Sequence, residues 1–180
     1  MANPHLLHTL AAIPPGIPVL DLSLTDRLLW LPLAQLGFRV TCIANKPQSA
    51  AEEASLASGI KWVTPTPEGV LPVGEEAFEW VIAHRSFDLL RTEAQYLSWV
   101  QECHRVLRDG GWMYVCVPAI APEQPMQNGR ADSLAFTAVG LQLYFSGREW
   151  AVAEQPYEYE EDGSLFWCAI FRKVGTNTIA

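Results

Sequence analysis

The chain is expected to be a single α/β domain over residues 1–180, doubly wound around a mostly parallel sheet that ends in an antiparallel hairpin. Three observations predict it. Short apolar runs with strand character alternate with segments of helical periodicity through the first two-thirds of the sequence. Glycine or proline marks most of the junctions between them. Near the C-terminus, two long stretches flank Asp162-Gly163, a dipeptide suited to a tight hairpin turn.

Taken in order, residues 1–13 read as a short helix with Leu6, Leu7, Leu10 and Ile13 on one face, ended by Pro14-Pro15-Gly16. Val19 to Leu22 is the first strand, and Leu28 to Leu36 carries helical periodicity that stops at Gly37. Pro32 removes one helical donor, which predicts that this helix begins late. Phe38 to Ile43 is a second strand, Ser49 to Ser58 a helix closed by Gly59, and Ile60 to Val63 a third strand. A Pro/Gly-rich loop leads to a fourth strand, Phe78 to Ala83, and then to a long helix from Thr92 to Leu107. Its buried face should carry Tyr96, Val100, Cys103 and Leu107. Asp109-Gly110-Gly111 turns into a fifth strand, Trp112 to Val117. After it come a loop, a helix from Asp132 to Tyr144, and the hairpin Arg148 to Tyr159 with Leu165 to Lys173. Alternation of this kind implies right-handed crossovers and helices on both sheet faces.

Bulk composition narrows the partners. Hydrophobic residues make up 49% and charged residues 18% of the 180, which argues for a folded chain throughout. The net charge of -8 and the lack of any Lys/Arg cluster argue against nucleic acid or an anionic membrane. No apolar run reaches bilayer-spanning length and no export signal is visible, so the cytoplasm is the expected location. Cys42, Cys103, Cys116 and Cys168 are far apart and read as reduced core thiols. His5 and His8 lack the further ligands a metal needs, and no metal site is expected.

Four segments then carry a resemblance: Ile13 to Leu22, Gly37 to Thr41, Ala77 to Ile82, and Cys103 to Gly111 with its Arg-Val-Leu-Arg-Asp-Gly-Gly end. Together they resemble class I S-adenosylmethionine (SAM)-dependent methyltransferases of the small-molecule type, over residues 10–175. The resemblance implies a Rossmann-like, seven-stranded methyltransferase fold and SAM as cofactor. In that family an acid ends the first strand and three alternating glycines follow. Here Asp21 is kept, while Ser23, Thr25 and Arg27 stand at the glycine positions. Asn45 replaces the acid that grips the ribose after the second strand, and Thr66, among prolines, stands near the adenine position. A Cβ obstructs backbone that must pass against a ligand, and a lost charged partner costs about 1.5–3 kcal/mol. The resemblance therefore implies a methyltransferase-like protein with a degenerate motif and weakened or lost cofactor binding. It would act on a small molecule; the alternative is a non-catalytic pseudoenzyme that serves a protein partner or binds another ligand. A nicotinamide-dependent enzyme is set aside, because the G-x-G-x-x-G turn is missing.

Each remaining candidate has a functional and a plain reading. Asp21 is either a contact to the methionine end of the cofactor or an acceptor for its own turn. His84 and Arg85 follow the fourth strand, where the family places residues near the transferred methyl group. His84 would serve there as a base, or the two form a solvated loop pair. Asp26 and Arg27 suit a surface ion pair, Trp30 either stacks on a ligand or closes the crevice, and His104 is structural or exposed. The loop from Ala119 to Arg130, with Met126 and Asn128, is either a lid or a connection. Glu158 to Asp162 reads as a solvated hairpin tip that protects a sheet edge.

Overall fold

The computed structural model describes residues 3–23, 29–43, 59–66, 69–120 and 136–175. Its elements are α1 (Pro4–Ala11), β1 (Pro18–Asp21), α2 (Trp30–Gln35), β2 (Arg39–Ile43), β3 (Lys61–Val63) and β4 (Phe78–His84). A 3-10 turn (Ser86–Leu89) follows, then α3 (Glu93–Val106), β5 (Leu107–Pro118), α4 (Ala138–Tyr144), β6 (Trp150–Glu161) and β7 (Ser164–Lys173). The seven strands form one sheet in the order β3-β2-β1-β4-β5-β7-β6. Strands β1 to β5 pair in parallel, and β7 runs antiparallel to both β5 and β6. The doubly wound α/β class with a closing hairpin is the architecture observed, and all seven expected strands are present.

Side-chain alternation divides the core between two sheet faces. On one face Leu6 and Leu10 of α1 and Leu33 of α2 cover Val19, Val40, Ile82, Tyr114 and Ile170. On the other, Tyr96, Val100, Cys103 and Val106 of α3 and Leu141 of α4 cover Leu20, Val81, Val115 and Phe171. Each buried aliphatic or aromatic side chain of this kind contributes roughly 1.5–3 kcal/mol relative to exposure.

Helix boundaries differ from the expected ones for local reasons. Helix α2 does begin late, and Pro32 falls at its third residue, inside the first turn, where no intrahelical donor is needed. Helix α3 starts one residue after Thr92, whose hydroxyl accepts the Gln95 amide while the Gln95 side chain accepts from the Thr92 amide. It stops at Val106, so Val106 takes the buried place expected of Leu107, which already belongs to β5. The reversal expected at Asp109-Gly110-Gly111 is instead an irregularity inside β5. There Phe78 pairs with Leu107 but Trp80 pairs with Trp112, so residues 108–111 loop out of the ladder. Gly110 takes φ +74 in that loop, and a Cβ on Gly111 would lie 2.8 Å from the Arg108 carbonyl oxygen. Helix α4 begins at Ala138, capped by the Thr137 hydroxyl; residues 132–135 and the helix expected over 49–58 lie outside the described residues. The hairpin turns on Asp162 (φ 51) and Gly163 (φ 73), both left-handed as a type I′ turn requires.

Two substitutions test this account by urea unfolding. Gly111→Ala presses a methyl group on fixed backbone and should cost about 2 kcal/mol. Thr92→Ala removes one half of a capping box and should cost about 1 kcal/mol.

Candidate functional site

In an open parallel sheet the strands' carboxyl ends form the ligand-facing edge, and the crevice opens where strand order reverses. Here the reversal lies between β1 and β4, and β1 is hydrogen-bonded to β2 on one side and to β4 on the other. Asp21 closes β1 at that point. Its carboxylate is 2% exposed, and Oδ1 accepts the Ser23 amide at 2.9 Å, so it serves its own turn. The Ser23 hydroxyl beside it is buried and has no hydrogen-bond partner among the described residues. A buried hydroxyl left unpaired carries a desolvation cost that a polar ligand group would relieve, so this corner is compatible with a bound cofactor. Burial pushes the Cys42 thiol well above its usual value, and the nearby Asp21 charge adds to the effect.

Thr25, Asn45, Asp26 and Arg27 lie outside the described residues, as does the part of the Ala119 to Arg130 loop that holds Met126 and Asn128. Thr66 is exposed and builds a small turn of its own: its amide donates to the Val70 carbonyl at 2.9 Å, and its hydroxyl accepts the Val70 amide at 3.2 Å. Trp30 packs edge-on against Trp62 of β3, with ring centroids 6.3 Å apart, closing that side of the sheet.

At the end of β4 the structure assembles a polar network. His84 has no solvent exposure; its ring is stacked on Tyr114 of β5, with Nδ1 3.4 Å from the phenol oxygen, and Nε2 lies 3.6 Å from Glu161 Oε2. Arg85 holds a left-handed backbone at φ 57, donates from Nη1 to Glu161 Oε2 at 3.2 Å, and lies over the Phe166 ring. Tyr159 donates to the other oxygen of Glu161 at 3.4 Å. Below, Tyr114 donates to Cys168 Sγ at 3.2 Å, and Asn3 Nδ2 reaches Tyr114, Tyr157 and Cys168. Hydrogen bonding from Cys116, ahead of that from Tyr114 and Asn3, holds the Cys168 thiol below the ordinary cysteine value against its burial. Burial and then the Glu161 charge push Tyr159 up to about 12.

Two plain readings are thereby corrected. His84 and Arg85 are not a solvated loop pair, because one is enclosed and the other shares a buried carboxylate. Glu161 is not part of a solvated tip: it is 7% exposed, while Glu158 and Glu160 on the same strand point elsewhere. Glu161, Tyr114 and Asn3 escaped the sequence reading. A signal for Glu161 was present, since Tyr157, Tyr159 and Glu161 alternate onto one face of β6. His5 meets Glu154 at 2.6 Å, and His104 packs edge-on against Trp150. All four cysteines are free and buried, and among the described residues no group of His, Cys, Asp and Glu could hold a metal ion. No described helix is long and apolar enough to cross a membrane.

The Glu161 carboxyl makes a measurable prediction. Burial works to raise its pKa, but its cationic partners, His84 and Arg85 among them, outweigh that and hold it below the 4.5 of an unperturbed glutamate. A depressed native value contributes stability above the unfolded value, lost as pH falls through the native one. Glu161→Gln should therefore destabilise by about 2 kcal/mol at pH 7. Its deficit against the wild type should shrink below about pH 4, whereas Glu160→Gln should be neutral throughout; urea unfolding across pH reads both.

The family model for a methyltransferase domain matches residues 20–115, more than half of the chain, spanning β1 through most of β5. No curated protein sequence matches. Among solved structures, a SAM-dependent methyltransferase from Methanosarcina mazei shares 16% identity at a TM-score of 0.72, over 96% of this chain and 98% of that one. The 1,6-didemethyltoxoflavin-N1-methyltransferase of Burkholderia thailandensis, solved with 1,6-didemethyltoxoflavin and S-adenosylhomocysteine, shares 17% identity at a TM-score of 0.69, over 94% of this chain and 78% of that one. The [4+2]-cyclase SpnF is similar too, with 16% identity, a TM-score of 0.68, and coverage of 95% and 82% respectively. These likenesses concern the fold, and the matched family model concerns descent: the chain belongs to the methyltransferase-domain family, on the Rossmann-like methyltransferase fold.

Proposed function

We propose that the chain is a methyltransferase-like protein that holds SAM weakly at the carboxyl ends of β1 to β3 and acts on a small molecule. The observation that carries this reading is the Ser23 hydroxyl, buried beside Asp21 at the reversal of strand order and without a hydrogen-bond partner among the described residues. SAM supplies an electrophilic methyl group. In the proposed arrangement Asp21, Ser23, Thr25, Asn45 and Thr66 would hold it, with side chains at 23, 25 and 27 narrowing the approach. In-line methyl transfer needs alignment above all, so few catalytic groups are required. A base must reach the proton it takes. Since the Arg85 side chain is 31% exposed and His84 is enclosed, we assign Arg85 to contact the acceptor and His84 to position Arg85 through Glu161. The free buried thiols are in keeping with a reducing compartment such as the cytoplasm.

A second reading, a non-catalytic relative that serves a protein partner, is favoured by the burial of both Asp21 and His84. Calorimetric titration with S-adenosylhomocysteine separates the two. The wild type should bind in the region of ~100 μM. A variant carrying Ser23→Gly, Thr25→Gly and Arg27→Gly should bind at least about tenfold tighter, because the backbone can then approach the ligand. Micromolar binding by the wild type removes the claim of weakening, and no heat from either protein favours the non-catalytic reading.

A further inference from the structure

At the opposite, amino-terminal edge of the parallel strands, α1 and β6 leave a second concavity between them. It encloses about 650 Å³ and is lined by residues from α1, the segment after it, and β4, β5, β6 and β7. That volume suits a small organic molecule. Its floor is the row Trp80 and Trp112, register partners on β4 and β5 whose rings stack 5.8 Å apart and 13° from parallel. Ile17 and Ile170 add apolar wall. The charged groups at its rim are Glu79, Glu154 and His5. Among the described residues Glu79 is paired with Arg108 and Glu154 with the His5 imidazole. Two carboxylates at the rim, on a chain whose net charge is -8, suit a cationic ligand better than an anionic one. Trp80 stands four residues before His84 on one strand, or ~13 Å along it, so this concavity is separate from the carboxyl edge.

We infer that this concavity is a second ligand site, for a small amine with an apolar, ring-bearing body. The body lies on Trp80, Trp112 and Ile170, and the ammonium group faces Glu154. A largely desolvated aromatic floor provides contact area, whereas the Glu154 carboxylate selects the sign of the ligand. Neutral analogues forfeit the charge-assisted hydrogen bond, and anions are repelled.

Three matched probes test the inference on the full chain by isothermal titration: 2-phenylethylamine, 2-phenylethanol and 3-phenylpropanoate. The amine should bind saturably, at least fivefold tighter than the alcohol, and the carboxylate should not bind. Glu154→Gln should reduce the amine to the affinity of the alcohol. Ala153→Trp, which fills the groove from the exposed edge strand, should abolish binding of both while leaving the thermal midpoint and any S-adenosylhomocysteine affinity unchanged. Equal affinity for amine and alcohol, binding that survives Ala153→Trp, or no saturable binding by the wild type overturns the proposal. So does a wild-type dimer that Ala153→Trp converts to monomer, since a second copy would then be the occupant.

Discussion

The antiparallel insertion of β7 between β5 and β6 is the constraint from which the candidate site follows. Because β7 opposes β5, its first residues pair with the end of β5: Phe166 faces Pro118 and Cys168 faces Cys116. The hairpin tip that precedes β7 is thereby carried to the carboxyl edge of the parallel strands. The last residue of β6, Glu161, arrives within reach of His84 and Arg85 at the end of β4. A hydrogen bond between residues so distant in the chain exists only once the whole sheet has formed. The network is then a consequence of topology, drawn from β4, β5, β6, β7 and the N-cap of α1. An enclosed carboxylate among cations is costly to disrupt from one side alone, which fixes the local backbone, including the left-handed turn at Arg85.

Much of the fold was legible in the sequence because it is written in short-range terms. Period-two and period-3.6 patterns placed all seven strands, and Asp162-Gly163 announced its own turn chemistry. Pro32 correctly foretold a shortened α2. Boundaries were less legible where tertiary structure decided them. The two glycines after α3 look like a helix-to-strand reversal, yet they serve a loop-out within β5, because Trp80 and Trp112 must come into register and stack.

The site was legible in part, and the division has the same cause. Asp21, His84 and Arg85 could be named because each ends a strand, and strand ends are local features. Glu161 could not be read as their partner, since an acidic run beside a turn looks like solvated surface in one dimension. Its burial depends on which strand lies beside β5, and a sequence pattern does not state that. Asn3 is a still longer-range case. It caps α1 through Oδ1 and at the same time sends Nδ2 into the Tyr114, Tyr157 and Cys168 cluster. One side chain thereby fastens the first helix to the last two strands.

That fastening also explains how one sheet face can offer two different environments. Along the face beneath α1, His84, Tyr114 and Cys168 toward the carboxyl edge form a polar, enclosed cluster, while the row of Trp80 and Trp112 is apolar and lines the groove. Helix α1 is anchored over the sheet by Leu6 and Leu10 and at its start by Asn3, and Ile13 and Pro14 after its end line the groove. Pro14-Pro15 stops the helix, Gly16 turns the chain at φ +85, and β1 starts two residues later. The groove is thus lined where a proline pair ends a helix, and its two rim carboxylates come from β4 and from the edge strand β6.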